Sequence, residues 1–418
     1  MIRGGDNKGV LLFAFSALVI AIISYPLWML YHQALNANVL FLTSSASYML
    51  AGERMSDAYY DTNPPLSIIL YLPPAFLVKY TALNVSQAIF IYCLSALGLS
   101  LALLHRSLKK ISAISAEHKA VIYTVFIYVH TIIAYFYWAE REYFMSLTLV
   151  PFMFLQISLT RRHEKLHTLD HLILALGALF IMIKPHYYIA PALILLHRFV
   201  TQKRLSVAWD KDSLYLNGFA ITYALVLYFL FHDFLILILP DVISLYLTIA
   251  SDWVASITIG LITTGLMAIL LTKMTVKGNS KKLIYLMFYI FIITAIPYYM
   301  QGKGYMNHLV IPSNFFLFGF ALLAFSVIKQ ILSELFRKRK DLSIPALFLT
   351  TILLSWLIYQ TIISVNKQLT HKQYQSLELV QTLQETPCTP KSCSFFIFND
   401  GLEVIHQLAL YSERVHAS

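Results

Sequence analysis

Asp57 and Asp61 stand one helical turn apart in the run Gly52-Glu53-Arg54-Met55-Ser56-Asp57-Ala58-Tyr59-Tyr60-Asp61-Thr62-Asn63-Pro64-Pro65-Leu66, a charged, proline-broken loop in an otherwise apolar chain. A carboxylate beside a hydroxyl takes its proton as a general base. Three further polar clusters recur along the chain: Glu140-Arg141-Glu142, Lys184 with His186, and Gln301-Gly302-Lys303-Gly304-Tyr305-Met306-Asn307-His308. Cationic side chains and glycine-freed backbone amides hold a phosphate and stabilise its growing charge as a leaving group. Arg141, Lys184, Lys303 and His308 are the candidate phosphate holders, and Glu140 and Glu142 the candidates to orient an acceptor. A divalent cation on the two glutamates is left open. Each cluster also has a plainer reading. Asp57 and Asp61 can solvate a loop or cap a helix, Glu140-Arg141-Glu142 can close a helical hairpin as an ion-pair cluster, and Lys184 can snorkel. His186 and His232 can simply pack.

The elements that must position these residues are membrane helices. Of 418 residues, 58% are hydrophobic and 12% charged, where a soluble domain carries about 25% charged residues. Long apolar runs recur, as helices crossing about 30 Å of hydrocarbon require, and they lack the alternation of barrel strands. The chain reads as an all-α polytopic membrane protein with eleven spans, at 10–31, 85–106, 119–138, 143–160, 168–183, 187–200, 215–239, 254–272, 283–300, 309–328 and 343–363. The first run is too long for a signal-peptide core and is expected to stay as an anchor.

The net charge of +10 comes mostly from Lys and Arg in alternate short loops. That is the positive-inside pattern, and it argues against nucleic acid as a partner. It places the N-terminus in the cytoplasm, the polar clusters on the opposite side and the C-terminus outside. Leu66 to Val78 carries Pro73-Pro74 and is too short to cross, so it is expected to lie along the outer interface or re-enter. Residues 1–363 then form one transmembrane domain with a long first outer loop at 32–84. Residues 364–418 form a small outer region with a short helix and a strand-like stretch. Cys93 sits in a span, whereas Cys388 and Cys393 are close enough to pair across a turn in an oxidising compartment.

With these residues in view, the chain resembles the GT-C superfamily of membrane glycosyltransferases, in particular the protein O-mannosyltransferase and aminoarabinose-transferase groups. The resemblance rests on Ala46-Ser47-Tyr48-Met49-Leu50-Ala51-Gly52 followed by Tyr59-Tyr60-Asp61-Thr62-Asn63-Pro64-Pro65-Leu66, on Glu140-Arg141-Glu142, on Lys184-Pro185-His186 and on Gln301-Gly302-Lys303-Gly304. It implies a GT-C-like bundle in a bacterial inner membrane, with a polyprenyl-phosphate-linked sugar as donor. The sugar would pass with inversion to a glycan, lipid or protein acceptor on the periplasmic side. Asp61, with Asp57 second, is the expected general base. Many family members carry a carboxylate at the start of the first juxtamembrane helix; here that region reads Leu35-Asn36-Ala37-Asn38-Val39, with none. A lipid-linked glycan flippase and a catalytically inactive envelope scaffold are the alternatives.

Overall fold

The computed structural model describes residues 35–55, 61, 63–112, 114–159, 165–248, 252–276, 280–301 and 306–335, with isolated positions within 24–31 and 349–352. Most of the first and last expected spans, the 364–418 region with Cys388 and Cys393, and the candidates Asp57 and Lys303 lie outside the described residues.

All regular structure among the described residues is helical. In chain order the helices are α1 (Ala37–Leu50), α2 (Leu66–Ile69), α3 (Leu72–Tyr80), α4 (Val85–Lys110), α5 (Ala116–Thr131), α6 (Arg141–Ser158), α7 (Thr168–Ile181), α8 (Ile189–Gln202), α9 (Lys211–Leu230), α10 (Leu239–Thr248), α11 (Asp252–Thr275), α12 (Ser280–Gln301) and α13 (Val310–Leu335). Within these, α4, α9, residues Ser256–Thr275 of α11, Ser280–Met300 of α12 and α13 are long and apolar enough to cross a membrane. They point to a membrane-embedded protein. Large apolar side chains stand outward on α9 (Ile221, Leu225, Phe229) and α11 (Ile259, Met267, Met274), as a lipid-facing surface requires.

Local sequence sets the helix boundaries. Asn84 caps α4 by accepting from the Gln87 amide at 2.9 Å while the Gln87 side chain accepts from the Asn84 amide at 3.1 Å. This reciprocal pair satisfies two otherwise orphaned donors. Pro73 and Pro74 occupy the first turn of α3, where a missing N–H costs nothing. The expected interfacial stretch after the first loop is therefore two short helices, α2 and α3, neither long enough to cross. The apolar run 215–239 differs from the expected single span. Helix α9 ends at Leu230 and a π-helical turn, Phe234–Ile238, follows. Pro240 lacks the N–H that would bond the carbonyl of Ile236, and the helical ladder widens just before it.

Helix α6 is the axis of the bundle. Nearly all its residues are buried, and it packs against α4, α7, α8 and α13. Pro151 inside α6 cannot donate to the carbonyl of Leu147 one turn back. The hydroxyl of Ser100 on α4 donates to that carbonyl instead, and Ser107 donates to the carbonyl of Pro151 at 2.8 Å. The backbone defect in one helix thus becomes the bond that joins it to its neighbour.

At one end of the bundle Asp170 is fully buried. It accepts two hydrogen bonds from Arg106 at 2.8 and 2.9 Å, one from the His167 amide at 2.8 Å, and lies 3.1 Å from Lys110. Close by in sequence, Arg198 pairs with Asp212 at 3.0 Å and Asp210 at 2.8 Å. These pairs tie α4 to α7 and α8 to α9.

Helices α6 and α7 approach closely because Gly177 has no side chain. A Cβ at Gly177 would lie 2.4 Å from the ring of Phe152 and 2.5 Å from its Cβ, whereas a Cβ at Gly98 would meet nothing within 4 Å. Gly177→Ala should therefore destabilise the protein by about 1–3 kcal/mol through overpacking. Gly98→Ala should be neutral or stabilise by up to about 1 kcal/mol through helix propensity. Thermal unfolding of both variants in one detergent tests the contrast.

Candidate functional site

The end of the bundle opposite Asp170 gathers charge that is rarely buried. Glu140 (2% exposed), Arg141 (7%), Glu142 (0%), Lys184 (8%), His308 (4%) and Asp61 (6%) are all inside. Four separate stretches of chain deliver them. Glu140 is the residue before α6, and Arg141 and Glu142 open that helix. Lys184 precedes the 3-10 turn Pro185–Tyr188 between α7 and α8. His308 lies in the 3-10 turn Met306–Leu309 that leads into α13. Asp61 precedes α2.

Asp61 is shaped by its local sequence. Its Oδ1 accepts from the Asn63 amide at 3.0 Å and from Asn63 Nδ2 at 2.8 Å, the side-chain turn that Asx residues favour. This holds the chain as it enters Asn63-Pro64-Pro65. The other oxygen, Oδ2, is buried with no hydrogen-bond partner among the described residues. Asp61 is near enough to Arg141 to help hold the guanidinium charged, after Glu142 and ahead of Glu140.

The turn before α6 is strained. Ala139 has φ 62°, a left-handed conformation that costs a residue with a Cβ about 1–3 kcal/mol. Two bonds hold it there: the Glu140 amide donates to the Tyr137 carbonyl at 3.0 Å, and Tyr71 OH donates to the Ala139 carbonyl at 2.6 Å. Glu140 sits at the N-cap of α6 but its side chain does not cap the helix. Its Oε1 instead accepts from Nδ2 of Asn38, on α1, at 3.4 Å.

The two glutamates are in different electrostatic states. Glu142 Oε1 accepts a hydrogen bond from Lys184 Nζ and lies 3.4 Å from His308 Nε2. Burial works to raise its pKa, but the charges of Lys184 and Arg141 outweigh burial and hold it well below the usual carboxylate range. Glu140 has no salt bridge among the described residues. Burial, reinforced by the Glu142 charge, raises its pKa to about 7, against the pull of Arg141, the Asn38 hydrogen bond and Lys184. Burial also lowers Lys184 to about 8, with Glu142 working against it, and lowers His186 to about 3. His308 is lowered to about 2 by burial and the Lys184 charge. Both histidines are thus neutral near pH 7, and the His308 contact to Glu142 is dipolar rather than ionic.

Several polar atoms here are buried without a hydrogen-bond partner among the described residues: Asp61 Oδ2, Glu140 Oε2, Glu142 Oε2, and Nε and Nη1 of Arg141. Such atoms are few in folded proteins, and a group of them signals a ligand or water. Among the described residues no three His, Cys, Asp or Glu groups are arranged to hold a metal ion. Beside the site, a cavity of about 240 Å³ opens between α4, α6 and α7. Its walls include Tyr92, Leu99, Leu103, Phe144, Leu147 and Phe180, and Leu99 is substantially exposed on the outer face.

No protein-family model matches the chain, no curated protein matches it, and no solved structure matches it.

The structure therefore brings together Asp61, Glu140, Arg141, Glu142, Lys184 and His308. His186 packs against Tyr187 with the rings tilted at 42° and centroids 5.0 Å apart, and His232 lies edge-on to Tyr228 at 5.6 Å, both packing contacts. Three residues make contacts at the site that were not read from the sequence. Asn38 reaches Glu140, Tyr71 pins Ala139, and Tyr187 OH donates to the His308 carbonyl at 2.8 Å. Nothing in the sequence separates Tyr71 and Tyr187 from the other tyrosines of a chain that contains 27.

Lys184→Met should leave the buried Glu142 charge without its hydrogen-bonded cation, only partly offset by Arg141, and destabilise the protein by up to about 3–5 kcal/mol. Adding Glu142→Gln should recover most of that loss, because the remaining pair is uncharged. Unfolding of both single variants and the double variant in detergent measures the coupling.

Proposed function

We propose that this chain is an integral membrane glycosyltransferase of the GT-C type. It takes one sugar from a polyprenyl-phosphate donor and transfers it to an acceptor hydroxyl on an envelope glycan, lipid or protein at the periplasmic face. The observation that carries this reading is the group of buried carboxylate oxygens that, with Nε and Nη1 of Arg141, have no hydrogen-bond partner among the described residues. An alcohol acceptor needs a carboxylate to take its proton, and a phosphate leaving group needs fixed cations. The cluster supplies both in a water-poor place, where electrostatic stabilisation is strongest.

The reaction follows from these parts. A buried carboxylate takes the acceptor proton as the acceptor oxygen attacks the anomeric carbon. The bond from that carbon to the phosphate oxygen breaks, and its electron pair leaves with the polyprenyl phosphate. Arg141 and Lys184 stabilise the charge that gathers on that phosphate. Attack opposite the departing group inverts the anomeric carbon. The apolar cavity between α4, α6 and α7 lies a few residues along α6 from the charged cluster, a fitting place for the first part of a prenyl chain. The chain's ionisable residues in this region gather at helix ends rather than along a polar path through the bundle, which favours a transferase over a flippase.

Deleting the chain should remove one sugar from the envelope glycolipids or polysaccharide, read by mass spectrometry. Wild type should restore it, whereas Arg141→Met at normal protein level should restore less than about 1% of it, since removing one such charge stabiliser costs about 10²–10³-fold. If deletion leaves every glycan intact while lipid-linked precursors accumulate, transport replaces transfer.

A further inference from the structure

We propose that Glu140, rather than Asp61, is the general base of this site, and that Asn38 is the positioning residue that aims it. The inference rests on the transferase reading and names its proton acceptor.

Three buried carboxylates compete for the role, and their bonding separates them. Glu142 is held by Lys184 and touched by His308 through the same oxygen. A carboxylate stabilised by a neighbouring ammonium is a weak proton acceptor, because the bond to the cation must be given up as the proton arrives. Asp61 spends one oxygen on two donors of Asn63 and thereby fixes the turn into Pro64-Pro65. Its geometry belongs first to the loop. Glu140 has no cation within salt-bridge distance among the described residues, one long hydrogen bond from Asn38, and a second oxygen with no hydrogen-bond partner.

The backbone supports the same assignment independently. A helix N-cap side chain ordinarily accepts from the amide two or three residues on. The Glu140 side chain makes no such bond and instead accepts from Asn38 on another helix. The left-handed Ala139 just before it is a conformation that persists only where surrounding structure enforces it. Tyr71 does so through the Ala139 carbonyl. Asn38 lies on α1 and Tyr71 is the residue before α3, and these two helices pack on each other. The first loop therefore fixes the Glu140 backbone from one side and its carboxylate from the other. Burial lifts Glu140 to about 7, close to the operating pH at which a general base works best.

The sign of the pH dependence follows. The base must be unprotonated, so the rate rises with pH through about 7, and it falls again above about 8 as Lys184 loses the charge that stabilises the phosphate. The Asn38 hydrogen bond favours the charged form and lowers the Glu140 pKa. Losing that bond moves the acidic limb to higher pH.

The test uses membrane vesicles of the deletion strain, which hold the native donor and acceptor, supplied with purified full-length protein. The readout is the initial rate of forming the mass increment lost on deletion, between about pH 5.5 and 8.5. Wild type should show an acidic limb near 7. Glu140→Gln should lose about 10²–10⁴-fold at every pH. Glu140→Asp should keep measurable activity with a limb, and Asn38→Ala should keep activity with the limb shifted upward. Asp61→Asn should lose about tenfold or less and keep the limb where wild type has it. A Glu140→Gln protein that elutes and melts like wild type and retains rate and limb, while Asp61→Asn abolishes both, overturns the assignment. If Glu140→Gln fails to fold, an unshifted limb in Asn38→Ala overturns it equally. Absence of any sugar-sized mass loss on deletion defeats the transferase reading itself and is seen before any variant is made.

Discussion

The buried contact between Glu142 and Lys184 is the interaction around which the charged end of the bundle is organised. A lone carboxylate under the first turn of α6 would cost several kcal/mol of desolvation. Lys184 supplies the counter-charge from the short segment between α7 and α8. That pairing fixes the distance between the start of α6 and the end of α7, and the Gly177–Phe152 contact along the same two helices allows no slack. With Glu142 compensated, the remaining charges divide unequally. Arg141 keeps two nitrogens without hydrogen-bond partners among the described residues, and neither Glu140 nor Asp61 has a salt bridge to a lysine among them.

The same helix carries the pairing into the interior. Ser146 lies one turn below Glu142 on α6. It accepts a hydrogen bond from Asn314 Nδ2 of α13 at 2.8 Å and lies 3.0 Å from His130 Nε2 of α5. The Phe126 carbonyl, 2.8 Å from His130 Nδ1, can only accept, so that nitrogen carries the proton and Nε2 receives the Ser146 hydroxyl. Three helices are joined at one buried hydroxyl directly beneath the site. Helix α13 begins just after His308, so this network sets how closely His308 approaches Glu142. Further along α6, the carbonyl left open by Pro151 ties it to α4. The site thus rests on one helix whose polar atoms are answered by neighbours on each side.

Much of this arrangement was legible in the sequence, and the limit has a physical cause. Hydropathy marked the apolar helices, because lipid leaves little choice about what faces it. Pro73-Pro74 marked α3 as too short to cross. Clustered carboxylates and cations stood out at Asp61, Glu140-Arg141-Glu142, Lys184 and His308, and the structure gathers all of them. What no pattern showed was which partner each acid takes. Asn38 and Glu140 are 102 positions apart, and Tyr71 reaches Ala139 across 68. Such pairings are settled by tertiary packing, not by local periodicity. The break after Leu230 was missed for another reason. The run 215–239 is uniformly apolar, and only Pro240 and the polar His232-Asp233 pair hinted that the ladder would open.

The absence of a carboxylate near Asn38, read from sequence alone, looked like a missing part. In three dimensions Asn38 is in place and holds a carboxylate that arrives from elsewhere. An aspartate at position 38 would put a second negative charge against Glu140, and the like charges would keep one of the two protonated. An amide at that position orients the carboxylate without competing for the proton. Glu140 can then rise in pKa through burial and the Glu142 charge while staying aimed, provided its backbone does not relax. Ala139, held left-handed by Tyr71, prevents that relaxation. Asn38 and the strain at position 139 are therefore two halves of one arrangement, in which the acid is supplied by the residue that precedes α6 and its geometry by α1 and the residue that precedes α3.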